Sequence, residues 1–143
     1  MEAKMRTNLL IGRIMSITLA LLFSIAVCAT AAETRLATKM ADGGEAVIIF
    51  AGSPLRTMTE IPFSMELHQT SGAVVKDAKL TLDLTMPAMP MPPNNPKAVW
   101  RDNAYRGTAI FTMAGAWQVN VEIHRPGLEA EKITFNIDMV VMK

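Results

Sequence analysis

Cysteine is all but missing from this 143-residue chain, with Cys28 as the only one. Cys28 sits within a leader-like segment. Cleavage beyond it leaves a mature chain with no thiol, which excludes disulfides, thiolate metal cages and cysteine nucleophiles together. Histidine is nearly as scarce, limited to His68 and His124, and neither has an evident acid–nucleophile constellation around it. The chain therefore reads as a binding protein rather than an enzyme. An excess of one charge is also lacking. Fourteen basic and 13 acidic residues leave a formal charge of +1, so nucleic acid finds no basic stripe and an anionic membrane surface no polybasic patch. Beyond residue 32 there is no helical periodicity and no internal repeat, which leaves strands to build the core.

One long apolar run is present, and it lies at the start. Lys4, Arg6 and Arg13 precede fourteen mostly apolar residues, Ile14 to Val27, and the small residues Cys28-Ala29-Thr30-Ala31-Ala32 follow. That order is the order of a secretory signal peptide, cut after Ala31 or Ala32. The run falls short of the roughly 20 residues a membrane helix needs. The expectation is a periplasmic or otherwise extracytoplasmic protein. A retained membrane anchor and lipidation at Cys28 are the alternatives, and Val27 fits lipidation poorly. Membrane contact follows only if the segment is not cleaved. Cleavage removes three of 14 basic and one of 13 acidic residues, leaving 11 and 12, a net charge of −1. The expected organisation is a signal peptide over 1–32, a flexible lead-in over 33–44 and one domain over 45–143.

Within that domain the apolar residues recur with period two. Ala46–Phe50 is a short β-branched run. Ile61, Phe63, Met65 and Leu67 alternate with Pro62, Ser64, Glu66 and His68, and Leu80, Leu82, Leu84 and Met86 with polar neighbours. Ala98–Arg101 and Thr108–Met113 read as two further strands, with Ala114-Gly115 as a tight reversal. Trp117, Val119, Val121 and Ile123 mark a sixth strand, and Ile133, Phe135, Ile137 and Met139 a seventh. Seven short strands punctuated by turns predict an all-β, antiparallel, immunoglobulin-like β-sandwich.

The compositional outlier is Met86-Pro87-Ala88-Met89-Pro90-Met91-Pro92-Pro93-Asn94-Asn95-Pro96, eleven residues that hold three methionines and five of the eight prolines. Proline removes backbone donors, so this is a loop. Methionine is ordinarily a core gap-filler. With simple up-and-down alternation, the links after strands one, three and five share one pole. Met58, Met86, Met89, Met91 and Met113 then gather at that pole beside Gly115 and Trp117, and both histidines fall at the other. Thioether sulfur is soft and uncharged and selects Cu(I) over hard cations. The candidate metal ligands are Met86, Met89, Met91 and Met113, with Met58 and Trp117 secondary. Packing is the competing role for Met86 and Met113, whose parity points inward. Trp117 is read as the core tryptophan of a sandwich, and Tyr105 as a corner tyrosine bonding nearby backbone.

From about Leu80 to Val121 the chain resembles the YtkA-like domain family and its FixH-type relatives. The resemblance is carried by Met86-Pro87-Ala88-Met89-Pro90-Met91, by Tyr105, and by Met113-Ala114-Gly115-Ala116-Trp117, against a pattern M-P-x-M, then G-x-Y, then M-x-G-x-W. It implies an exported or membrane-tethered immunoglobulin-like domain associated with copper handling and respiratory oxidase maturation, and hence a protein partner such as a copper acceptor. Two positions depart from the pattern. Ala104 replaces the usual glycine, and Pro90-Met91 stand where many members carry a histidine, which favours a site of thioethers alone. A binding module that uses the Met/Pro loop as a protein-interaction surface is the alternative reading.

Overall fold

The computed structural model describes residues 30–143. Its strands are β1 (Glu33–Lys39), β2 (Glu45–Ala51), β3 (Leu55–Arg56), β4 (Ile61–His68), β5 (Lys79–Thr85), β6 (Val99–Arg101), β7 (Ala104–Ala109), β8 (Gly115–His124) and β9 (Glu131–Val141). They form two sheets, ordered β1-β2-β4-β7-β6 and β3-β9-β8-β5, and every pairing is antiparallel except the short β3–β9 ladder. Setting β1 and β3 aside, the strands taken as A to G run A-B-E-D in one sheet and G-F-C in the other. That is the order of an immunoglobulin constant-type sandwich.

Period-two patterning explains the layering. Ile61, Phe63, Met65 and Leu67 of β4 face Trp117, Val119, Val121 and Ile123 of β8 across the sandwich, and all eight are buried in one core. Tyr105 is buried too and works as the expected corner. Its hydroxyl donates to the Val75 carbonyl at 2.8 Å and accepts from the Ala78 N–H at 3.0 Å. It thereby fastens the link between β4 and β5 to β7. Burial pushes its pKa above the ordinary tyrosine value of 10.0; the Asp77 carboxylate adds to the rise, while the Ala78 hydrogen bond and the Arg125 charge oppose it.

Three expectations are corrected. Residues 33–39 are not a flexible lead-in but the edge strand β1, laddered from Glu33↔Ala51 to Lys39↔Glu45, so the domain begins at residue 33. The inward positions Thr34, Leu36 and Thr38 include a single strong hydrophobe, which hides the period. The strand expected over 108–113 is β7, 104–109. Asp102 and Asn103 both take positive φ, 50° and 60°, and make a two-residue hairpin that sets Ala104 opposite Arg101. Residues 110–114 are consequently a crossover between the sheets rather than a tight reversal. Met139 does not line the core. Gly115 pairs with Val140 but Trp117 with Ile137, so β9 carries an extra residue there, and this bulge turns Met139 outward and Val140 inward.

The expected leader lies, except for its last three residues, outside the described residues. Among the described residues no helix is long and apolar enough to cross a membrane.

Candidate functional site

The registers place one end of β2, β4, β5, β7, β8 and β9 together: Ala51, Ile61, Thr85, Ala109, Gly115 and Val141 all lie at that pole. Three links close it. The 52–60 link is held by Thr57 N–H to the Val141 carbonyl (2.9 Å) and by Met58 N–H to the Phe111 carbonyl (2.8 Å). The 110–114 crossover is held by the indole of Trp117, whose Nε1–H donates to the Met113 carbonyl at 2.9 Å. Beneath runs a chain of aromatic rings, Phe63–Phe50 at 6.0 Å, Phe50–Phe111 at 5.8 Å and Phe111–Trp117 at 5.3 Å, a rigid apolar floor.

The third link is the Met/Pro loop, which folds back rather than projecting. After a turn closed by Met89 N–H to the Met86 carbonyl (3.4 Å), it returns along the free edge of β5. The Asn94 carbonyl accepts from Leu84 N–H at 2.8 Å, and Asn95 Nδ2 donates to the Leu82 carbonyl at 2.8 Å. Asn94 Nδ2 reaches the Ile110 carbonyl on the crossover at 2.9 Å. Prolines contribute no donors, so the two asparagines and Leu84 supply the loop's polar anchorage. At its end the loop passes over β7. A Cβ at Gly107 would lie 2.1 Å from the Lys97 carbonyl oxygen, so only glycine admits the crossing.

Two separated motifs of the sequence touch here. Gly115 has φ +128°, and a Cβ on it would meet the Met86 methyl at 2.9 Å. The first methionine of the loop thus rests on Gly115, the residue that opens β8 immediately after the crossover. Met86 is 6% exposed and belongs to the core, which realises its packing role. Met91 is half-buried against the same core. Met89 and Met113 are exposed, at 40% and 43%. The inward parity read for Met113 fails because the crossover, not a strand, carries it. Met58 is exposed as well and has φ 52°, a left-handed conformation unusual for a bulky residue.

Strand counting located both histidines correctly. His68 pairs with Glu45 and His124 with Lys79, both at the opposite pole. Each sits by a carboxylate two residues before it, His68 Nε2 at 3.0 Å from Glu66 and His124 Nε2 at 2.9 Å from Glu122. Among the described residues no three His, Cys, Asp or Glu side chains are grouped to hold a metal. The methionine pole thus offers neutral sulfur donors, a set whose chemistry fits a soft monovalent ion and not a hard one. Sequence reasoning missed two exposed methionines at this pole, Met139 and Met142. The bulge hid the first, and the second lies past the last readable period.

The model of the YtkA-like family matches residues 38–122, more than half of the 143-residue chain. The chain belongs to the YtkA-like family. No curated protein and no solved structure matches it. The matched segment contains Met58, the Met/Pro loop, Tyr105 and the Met113–Trp117 stretch, and it excludes residues 33–37 of β1 and the whole of β9. In the G-x-Y pattern the glycine position falls on Asn103, which takes φ 60°, a left-handed conformation that glycine adopts most easily and asparagine tolerates, so the departure sits at Asn103 and not at Ala104. Ala104 itself is buried and opens β7, directly after the two positive-φ residues Asp102 and Asn103.

Proposed function

We propose that this YtkA-like protein handles copper outside the cytoplasm, taking Cu(I) as cargo on its methionine pole and passing it to an acceptor protein, with respiratory oxidase maturation as the setting the family resemblance implies. The observation that carries the reading is the loop itself. Met89 is exposed and Met91 half-buried on a segment whose backbone is anchored at Leu84, Asn94 and Asn95, beside exposed Met113. Thioethers set on a tethered backbone lose little freedom when they bind. They also stay free of disulfide chemistry in an oxidising compartment. Met86 serves as the floor that holds the loop to Gly115, and Trp117 fixes Met113.

Anaerobic Cu(I) titration against a chromogenic chelator tests this. A Met89→Leu/Met91→Leu double variant is expected to bind about tenfold more weakly or worse, a loss of roughly 1.4 kcal/mol or more. Unchanged affinity in the variant, or no binding by the wild type, defeats the reading. The exposure of five methionines at one pole also favours a second reading, an adaptable apolar surface for a protein partner. Partner capture lost in the double variant and indifferent to copper would favour that one.

A further inference from the structure

Burial divides the nine methionines of the described residues sharply. Met40, Met65 and Met86 are buried, at 4%, 0% and 6% exposure, and Met91 is half-buried. Met58, Met89, Met113, Met139 and Met142 are exposed, between 40% and 74%, and all five lie at the pole described above. Only three other large hydrophobic side chains are exposed among the described residues, Val99, Ile110 and Leu128, and none is aromatic. Leucine or isoleucine would supply the same apolar area at the pole. What methionine adds is an accessible thioether, which a mild oxidant modifies reversibly.

The fold is arranged to survive that modification. None of the five exposed side chains belongs to the core. Where these residues are fixed, the main chain fixes them. Met58 N–H donates to the Phe111 carbonyl at 2.8 Å, the Met113 carbonyl accepts from the Trp117 indole at 2.9 Å, and the Met142 carbonyl accepts from Arg56 Nη1 at 3.4 Å. An oxygen added to the sulfur touches none of these bonds. The buried three are the opposite case. The Met86 methyl packs against Gly115, near enough that a Cβ there would lie 2.9 Å from it. A sulfoxide at Met86, Met40 or Met65 would bury a polar oxygen in the apolar core, and burial also keeps the oxidant away. Oxidation changes the donor as well as the polarity. A thioether is soft, whereas a sulfoxide presents a hard oxygen that suits hard cations rather than Cu(I).

We propose that the exposed methionines of the pole are a reversible oxidation site for peroxide, and that sulfoxidation at Met89 and Met113 releases the metal cargo. The sulfur attacks one oxygen of the peroxide, an S–O bond forms as the O–O bond breaks, and sulfur gives up two electrons. With hydrogen peroxide, the proton on the transferred oxygen passes to the departing hydroxide, which leaves as water. The return step needs a thiol-dependent methionine sulfoxide reductase, which draws two electrons and two protons from a pair of thiols and leaves a disulfide and water. The release rests on the copper-handling reading; the pattern of oxidation does not.

Graded hydrogen peroxide treatment, peptide mapping by mass spectrometry and Cu(I) titration of the treated, peroxide-free protein test both parts. Met58, Met89, Met113, Met139 and Met142 should gain oxygen first and Met91 later, with Met40, Met65 and Met86 unmodified and the melting temperature unchanged. The oxidised protein should bind Cu(I) at least about tenfold more weakly, and treatment with reductases for both sulfoxide epimers should restore the affinity. Met58→Leu/Met139→Leu/Met142→Leu alters exposed positions only, and it should lose Cu(I) on oxidation as the wild type does, since it keeps Met89 and Met113. Oxidation of Met86 in step with the exposed five, or a melting temperature that falls as they oxidise, overturns the site, because the modification is then unfolding damage. Unchanged affinity after oxidation, in the wild type or in that variant, overturns the release. Untreated protein that binds no Cu(I) defeats the copper-handling reading and the release together, and the peptide map still decides the oxidation site.

Discussion

At the scale of single residues, Tyr105 and Trp117 show how one polar atom on a large ring organises loops that are irregular by themselves. The Tyr105 hydroxyl satisfies the buried Val75 carbonyl and the part-buried Ala78 amide of the 69–78 link. Tyr105→Phe should therefore cost about 1–3 kcal/mol, the usual penalty for stranding buried partners, read as a lower denaturant midpoint with an unchanged slope. Burial also gives this phenol a pH signature. Its folded pKa lies above the unfolded 10.0, so the folded state holds the proton more tightly. The stabilisation is complete below pH 10 and disappears as pH climbs through the folded value. Wild-type stability should fall steeply above pH 10, and the phenylalanine variant should lose that part of the fall. Parallel curves for the two proteins would mean that the hydroxyl is solvated. Trp117 works likewise on the crossover, where its indole N–H holds the Met113 carbonyl while its ring packs edge-on against Phe111 at an interplanar angle of 77°.

At the scale of elements, the Met/Pro loop behaves as a covering strand for the exposed edge of β5. Edge strands present unpaired donors and acceptors that invite association, and covering the edge with a loop is one remedy. Here the Asn94 carbonyl and the Asn95 amide engage Leu84 and Leu82, both on β5. Asn95→Ala should lower stability by about 1 kcal/mol and accelerate amide hydrogen exchange at Leu84 without changing it in β2 or β4. Equal protection at Leu84 would show that the prolines alone hold the loop. Proline richness was legible in the sequence as a loop, and the methionines as a candidate soft-donor set. The anchoring asparagines were not singled out, because Asn-Asn beside proline is an ordinary loop composition and its partners are sixteen and thirteen residues away.

At the scale of the whole molecule, β1 extends the sandwich beyond the family's matched segment. It shields β2, whose Val47-Ile48-Ile49-Phe50 run would otherwise form a free apolar edge. The link after it is tied across the sandwich, since Arg125 lies 3.5 Å from Asp42 and 3.7 Å from Glu131, and Glu131 also accepts from the Ala41 N–H. Removing residues 33–39 should destabilise the domain by about 2 kcal/mol or more, roughly 8 °C in Tm for a domain of this size, and should promote self-association through β2. Calorimetry and light scattering decide it; an unchanged Tm with a monomeric truncated protein would make β1 dispensable.

The sequence by itself determined the sandwich and the pole. Period-two patterning reports which side chains face inward, and alternation of strand direction reports which links share an end, so both follow from local rules. The same alternation separates both histidines from the methionine pole. Only the tertiary structure decided β1, the crossover over 110–114, and the outward aim of Met58, Met139 and Met142. These depend on a weakly patterned edge, a change of sheet, a bulge and a left-handed residue, each of which breaks the local period because a partner distant in the chain stabilises the break. The methionine pole consequently differs from its sequence-level outline: Met86 is its floor, and its unpacked sulfur continues past the loop to the end of β9.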